Sequence, residues 1–306
     1  MKRIFENILS ASITLLVIAF MTFLLMKAIP GGPFDTDKPL PPEIIKALEA
    51  KFKLDLPWYK QFLFYIRDIV LHFDFGPSIK FVGRSVTDIV SEALPVSFEL
   101  GFYSLVLAVF FGVTLGVLAA AKRGSLWDMT AMIAAISGVS LPSFLVGAIF
   151  ILIFVQKLGW FPGAFWDAPE NKILPSIVLG LRPMAIIARQ TRSAMLEVWP
   201  MDFVRTARAK GLSPKRVLYL HILRNACLPV ITLLGPLAAT ILTGSFIVEH
   251  IFSIPGLGSH FINAVVNRDY PLIMGVTLLF AAFLIFATLL TDIVYTWIDP
   301  RMKKQS

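Results

Sequence analysis

LGFYSLVLAVFFGVTLGVLAAA, Leu100–Ala121, runs from end to end without a charged side chain. About 20 consecutive apolar residues, wound as a helix, cross the hydrocarbon core of a bilayer. This stretch meets that length with no polar interruption beyond hydroxyls. Gly112 and Gly116 stand four positions apart in it, the spacing that lets a second helix come close. Five other apolar blocks lie around it: Ile8–Leu25, Met129–Val155, Ile173–Leu196, Cys227–Val248 and Pro271–Thr291. The expected fold class is therefore an all-α integral membrane protein with about six transmembrane helices.

Composition agrees. Of 306 residues, 57% are apolar and 16% charged, with a mean hydropathy of +0.76. A soluble domain carries roughly 45–50% apolar and about 25% charged residues. The single cysteine, Cys227, rules out a disulfide framework within the chain and is expected to be a small buried residue.

The blocks are not equivalent. Ile8–Leu25 follows Lys2 and Arg3, but its apolar run exceeds that of a secretory signal, so an uncleaved first helix is expected. Met129–Val155 is broken by Ser137, Gly138, Ser140, Pro142 and Ser143. Backbone groups freed there need protein or water, which points to a cavity-lining span, with Ser140 and Pro142 as candidate pathway residues. Ile173–Leu196 contains Arg182-Pro183. A charge inside a span points by default to a transport path, so Arg182 joins the candidates; local pairing or snorkelling is its bland alternative.

Orientation follows from the basic residues of the short connections. Residues 189–224 hold eight bases against two acids, and Lys122-Arg123 and the tail bases fall on the same side. Both termini are expected to be cytoplasmic. The chain then divides into a first end and span (1–29), an external loop (30–95), a membrane core (96–298) with a cytoplasmic loop at 197–227, and a tail (299–306). Within the external loop, Pro42 and Pro57 are placed to open short helices. The second would carry Trp58, Phe62, Tyr65, Ile66, Ile69 and Val70 on one face, as scaffolding or as a docking surface.

The loop Met201–Pro229 reads MDFVRTARAKGLSPKRVLYLHILRNACLP. A short helix from Pro200 to Lys210 would close at Gly211 in a left-handed turn. Ser213 is an N-cap candidate with Pro214 behind it, opening a second helix to about Ala226. The bases alone could be a topology signal. A DNA-reading helix-turn-helix fits the spacing, but tethering to two membrane spans argues against nucleic acid. A docking element for a cytoplasmic protein accounts for the ordered breaks as well as the charge.

These residues resemble the permease subunits of bacterial ABC importers. The hallmark loop of that family reads Glu-Ala-Ala, three residues, Gly, nine residues, Ile-x-Leu-Pro. Arg205-Thr206-Ala207 occupies the first position, Gly211 the glycine, and His221 and Leu223 the Ile and Leu. The Glu, first Ala, Ile and Pro are not matched. The departures are similar to the peptide-importer branch, as are AIPGGPF at Ala28–Phe34, LPPE at Leu40–Glu43 and DFGPS at Asp74–Ser78. TGSFIVEHIFSIPGLG at Thr243–Gly258, NRDYP at Asn267–Pro271 and the Asp292–Arg301 pattern extend the resemblance to nearly the whole chain. LPPE leans towards the oligopeptide branch over the dipeptide and nickel branches.

The resemblance implies a type I ABC-importer permease fold in the bacterial inner membrane. It also implies a second, homologous permease subunit in a heterodimer, two cytoplasmic ATP-binding subunits and an extracytoplasmic peptide-binding protein, with membrane lipid around the assembly. Arg205, Thr206, Ala207, Arg208, Ala209, Lys210, Gly211, Leu212, Ser213 and Pro214 would form the ATPase-coupling loop, Ala207 facing the partner. The chain has no GxxxxGK[ST] phosphate loop of its own. No catalytic constellation, metal cluster or cofactor motif stands out, so a transport subunit rather than an enzyme is expected. An ion-coupled carrier is the rival, but no internal repeat supports it. Glu99, Glu249 and Asp292 lie near span ends and read as interfacial anchors. Glu249–Gly258 is expected to turn into a short external helix, as a plain loop or part of an outer gate.

Overall fold

The computed structural model describes residues 2–29, 32–34, 41–242 and 245–298. Leu40 of the LPPE run, Thr243, Gly244 and the tail 299–306 lie outside the described residues.

Helices make up the described chain: α1 (Lys2–Ala28), α2 (Pro42–Lys51), α3 (Trp58–His72), α4 (Val86–Ala121), α5 (Leu126–Ser140) and α6 (Ser143–Phe150). After α6 the backbone widens into a π turn at Ile151–Lys157. Then come α7 (Pro169–Val198), α8 (Asp202–Ala209), α9 (Pro214–Arg216), a second π turn (Val217–Leu223) and α10 (Arg224–Leu242). Last are α11 (Phe246–Ile251), α12 (Leu257–Asn267) and α13 (Tyr270–Ile298). Five stretches are long and apolar enough to span a membrane: Glu6–Ala28, Val86–Ala121, Pro169–Val198, Pro214–Leu242 and Tyr270–Leu290.

Three expectations about the spans change. The second span begins at Val86, so Pro95 lies inside a helix rather than in the loop. The third is not straight: α5 and the α6 stretch meet at a bend of 109°. Leu141 is extended there, as the residue before a proline prefers, and Pro142 has no N–H to continue α5. The fifth starts at Pro214 and ends at Leu242, because the helix opened by Ser213-Pro214 runs on into the membrane instead of stopping near Ala226.

Two compact units emerge, 1–96 with 255–285, and 97–254 with 286–306. In the first, Ala19, Phe23 and Met26 of α1 pack with Val86 and Ile89 of α4 and Leu272 and Val276 of α13. Phe62, Tyr65, Ile66 and Ile69 of α3 cover that core. Trp58 and Val70, expected on the same face, are exposed. Four residues at periodic spacing satisfy one face of a helix, and these two lie outside the stripe.

This unit also joins two of the quoted motifs. Asp269 of NRDYP is fully buried. Its carboxylate accepts from the hydroxyl of Ser78 in DFGPS, from the Ile79 and Lys80 amides (both 3.2 Å) and from the Leu272 amide (3.4 Å). The acid at once binds a loop and caps the start of α13.

In the second unit, α4 and α7 lie in close contact through glycines. A Cβ on Gly112 would sit 2.8 Å from the Met184 carbonyl oxygen, and one on Gly116 2.6 Å from that of Ala188. Gly180 makes the reciprocal approach to Ser104. The small-residue spacing thus serves packing within this chain. Ala108, Ile187 and Val230 tie α10 to the same pair. Cys227 is half-buried there, less enclosed than expected.

Candidate functional site

The site is assembled from the two ends of a polar loop. An eight-residue helix such as α8 is too short to hold itself in water, so tertiary packing must hold it. Val204 and Ala207 supply the packing, buried among Val117 and Ala120 of α4, Ala194, Met195 and Val198 of α7, and Val217, Ile222 and Ala226 beyond the turn. Full burial of a valine contributes about 1.5–3 kcal/mol. One small core therefore fixes α8 to the ends of three spans.

Ala207 is 4% exposed and faces this core, correcting the expectation that it faces a partner. The outward side of α8 carries Arg205, Thr206, Arg208 and Ala209, with Phe203 and Met201 exposed beside them. Arg205 lies 3.7 Å from Asp202, and the Arg208 guanidinium stands 5.6 Å over the Trp199 ring. Among the described residues Lys210, Lys215 and Arg216 form no ion pair. Beyond the turn, Tyr219 and Leu220 are exposed as well. Charge and large apolar groups exposed together suit a protein surface better than water alone.

Local geometry explains the turn. α8 opens after Met201, not Pro200, and Lys210 caps its end. Gly211 adopts φ +77°, the left-handed conformation expected of it. Ser213 does precede the first turn of α9, yet its hydroxyl makes no capping bond. Leu212 is partly buried against the core, and Pro214 sits in the first turn.

Asp128 and Arg192 were not singled out by sequence. They form a two-pronged ion pair between α5 and α7, with N–O distances of 2.6 and 2.8 Å. Asp128 is 5% exposed and also accepts from the Gly124 amide. The signal was present: Ser125-Leu126-Trp127-Asp128 is a capping-box pattern, and the Ser125 hydroxyl accepts from the Asp128 amide. Arg192 had been counted only as a loop base.

Of the pathway candidates, Ser140 and Pro142 are exposed at the bend, and Arg182 is exposed on α7. The structure places the two regions next to each other. A Cβ on Gly138 would lie 3.4 Å from the Leu181 carbonyl oxygen and 3.4 Å from the Ala185 side chain, on either side of Arg182 in sequence. Glu99 is bonded within the chain, accepting from Lys172 (2.6 Å) and the Trp166 indole (2.8 Å). Glu249 is fully buried and accepts from the Ser245 amide, while the Ser245 hydroxyl accepts from the Val248 amide. That reciprocal cap opens α11, followed by a turn with Ser253 at φ +52° and then α12. The side chain of Asp292 lies outside the described ones. No group of metal ligands occurs among the described residues.

A buried inner face and a charged outer face between two spans are what a membrane component driven from outside the bilayer requires. Residues 112–304 match the family model for the inner membrane component of binding-protein-dependent transport systems, and residues 1–100 match its N-terminal companion. The chain belongs to this family. The dipeptide transport permease DppB of Bacillus subtilis is 48% identical over 95% of this chain and 94% of its own length. The oligopeptide transport permease OppB of Escherichia coli K12 is 41% identical over 99% of both chains. In fold, the chain is similar to the MetNI methionine ABC transporter, with a TM-score of 0.56 and 16% identity over 70% of this chain and 97% of that one. It is thus an inner-membrane, multi-pass permease subunit with the type I importer fold. Such a subunit transports and does not catalyse. Family membership brings an ATPase and a substrate-binding protein as partners in general terms.

Proposed function

We propose that this permease subunit carries peptides across the inner membrane, and that residues 197–227, through α8 and the Gly211 turn, receive the movement of separate ATPase subunits. The observation that carries the reading is the shared core of Val204 and Ala207 with α4, α7 and the start of the fifth span. A push on the outer face of α8 is transmitted to three span ends at once, the packed contact needed for switching between two membrane states. The charges on that face steer and register the partner. With two ATP-binding subunits on the cytoplasmic side, both termini of this chain lie there too. The loop that precedes the second span, residues 30–85, then faces the extracytoplasmic binding protein.

Ser140, Pro142 and Arg182 line the path. A guanidinium at mid-span costs roughly 2.5–3.5 kcal/mol against lipid, which favours a watery or protein-covered setting. A second, homologous permease subunit supplies the opposite wall. The LPPE run supports oligopeptides as cargo; the 48% identity to the DppB relative favours a dipeptide reading.

The test is uptake by the reconstituted complex with its binding protein. ATP-dependent entry of labelled tetra- or pentapeptide, outcompeting dipeptide, is the expected result. Dipeptide-only uptake moves the cargo to the second reading, and uptake without ATP overturns the coupling role. Cysteines at Ser213 and Ser306, in a Cys227→Ser background, should resist an impermeant thiol reagent in intact cells.

A further inference from the structure

The first compact unit contains an apolar cavity of about 180 Å³ at the end of the first span, where α1, α2, α3 and α13 come together. Phe23 and Met26 of α1, Leu54, Phe75 and Met274 supply much of its wall. Three ammonium groups belong to the same cavity: Lys27 lies 5.9 Å over Phe23, Lys51 5.8 Å over Phe52, and Lys53 5.1 Å over Phe64. The one acid in the lining, Asp68, is already engaged by Arg67 at 2.7 Å, with Lys53 more distant at 3.9 Å. The net charge around the cavity is therefore positive. Tyr65 also lines it, and its buried hydroxyl has no hydrogen-bond partner among the described residues.

We propose that this cavity is a binding site for one anionic phospholipid, its acyl chain among the aromatic and methionine side chains and its phosphate against Lys27, Lys51 and Lys53. Each feature calls for part of that ligand. Apolar walls at a membrane boundary accept hydrocarbon, whereas Lys27, Lys51 and Lys53 are themselves exposed and can turn from the rings beneath them to a phosphate. A buried tyrosine hydroxyl without a partner can donate to an ester carbonyl of the same lipid. A zwitterionic lipid matches the walls but not the charge, and a free phosphate matches the charge but not the walls. Orientation of the chain decides only which leaflet supplies the ligand, so the site stands independently of the peptide cargo.

Native mass spectrometry of the whole complex in nanodiscs, with equal phosphatidylglycerol and phosphatidylethanolamine, reads the preference directly. One retained phosphatidylglycerol is expected. Lys27→Gln, Lys51→Gln and Lys53→Gln together should reduce its occupancy relative to phosphatidylethanolamine by about tenfold, each base near an anionic headgroup being worth about fivefold at most. Tyr65→Phe should weaken both lipids modestly. Unaltered preference in the triple variant overturns the proposal, as does equal protection by glycerol phosphate without acyl chains. A diazirine on the acyl chain of phosphatidylglycerol tests the unmodified protein. Labelling should fall within residues 23–27, 51–79 and 270–274, and labelling confined to other segments would rule the site out.

Discussion

The Asp269 cage and the loop around Gly211 are both short polar segments flanked by apolar helices, and both carry residues shared with the family. They end differently. Asp269 is buried with its carboxylate bonded to donors of its own chain. The loop instead buries only Val204 and Ala207 of α8, and leaves Arg205, Arg208 and Lys210 on the surface. Polar groups satisfied internally hold one conformation, whereas charges left on an ordered surface hold information for a partner. Motif matching alone weights the two equally.

The largest effect expected tests the closed region. Asp269→Ala removes the acceptor for the Ser78 hydroxyl and three amides, leaving donors buried without partners. A loss of about 3–5 kcal/mol is expected, read as a collapse in the melting temperature of the detergent-solubilised complex. Asp269→Asn keeps the shape and one acceptor and should fall between. Wild-type melting of Asp269→Ala would mean that the cage is not what holds the DFGPS segment.

Next comes the boundary between the two kinds of polar segment, on α8 itself. Ala207→Arg forces a guanidinium into the core of Val117, Met195, Val198 and Ile222, at a cost of several kcal/mol unless α8 detaches. Both melting temperature and peptide uptake should fall. Lys210→Glu, on the exposed side, should leave melting within about 0.5 kcal/mol of wild type while reducing co-purification of the ATPase subunits. If both variants behaved alike, the inward and outward faces would not divide stability from coupling.

Much of this was legible beforehand, for identifiable reasons. Apolar runs reported about six spans because hydrocarbon tolerates little else, and five of them are single helices long enough to cross. Gly211 revealed its turn because few other residues accept φ +77°. The 109° bend was seen only as an interruption, since Pro142 says where a helix stops and not where the next one points. The inward direction of Ala207 was hidden for a related reason. Its burial depends on α4 and α7, which are separate helices earlier in the chain, and alanine is at home on either face. Asp128 with Arg192 and Asp269 with Ser78 needed the tertiary fold, since opposite charge or hydrogen-bonding capacity does not name a partner.

Gly211→Val probes the loop backbone with a smaller effect. The φ of +77° disfavours a β-branched residue, at roughly 1–2 kcal/mol, although a Cβ there would meet nothing within 4 Å of this chain. Gly211→Asn, which tolerates the left-handed region, should recover most melting stability. If Gly211→Asn also blocked uptake at normal stability, the space beside Gly211 would belong to the bound ATPase.

His260 offers a pH test in the closed region. Burial lowers its pKa, Arg84 adds to the effect and Glu92 opposes it, and its Nδ1 has no hydrogen-bond partner among the described residues. The folded state therefore disfavours the protonated ring. Stability should be full above the ordinary histidine value of about 6.5 and decline as pH falls through that value and the lower folded one. Melting scans from pH 7.5 to 5 should show that decline, about those limits, and His260→Gln should flatten it. An unchanged slope in His260→Gln would assign the pH response to other groups.

The smallest effect expected separates sequence position from bond formation. Ser213 and Ser245 both immediately precede a helix, and a serine at that position commonly contributes about 1 kcal/mol by accepting from a first-turn amide. Ser245 does so, its hydroxyl 3.3 Å from the Val248 amide. Ser213 makes no such bond, and Pro214 behind it already supplies a preset φ and one fewer amide to satisfy. Ser245→Ala should thus lower stability by about 1 kcal/mol, and Ser213→Ala by no more than about 0.3 kcal/mol. Uptake by Ser213→Ala should stay normal, since the turn is held by Gly211 and by Leu212 against the core. A loss in Ser213→Ala equal to that in Ser245→Ala would show that the hydroxyl caps α9 in the working complex. Lost uptake at unchanged stability would instead place Ser213 in contact with the ATPase, extending the open face of the loop across the turn.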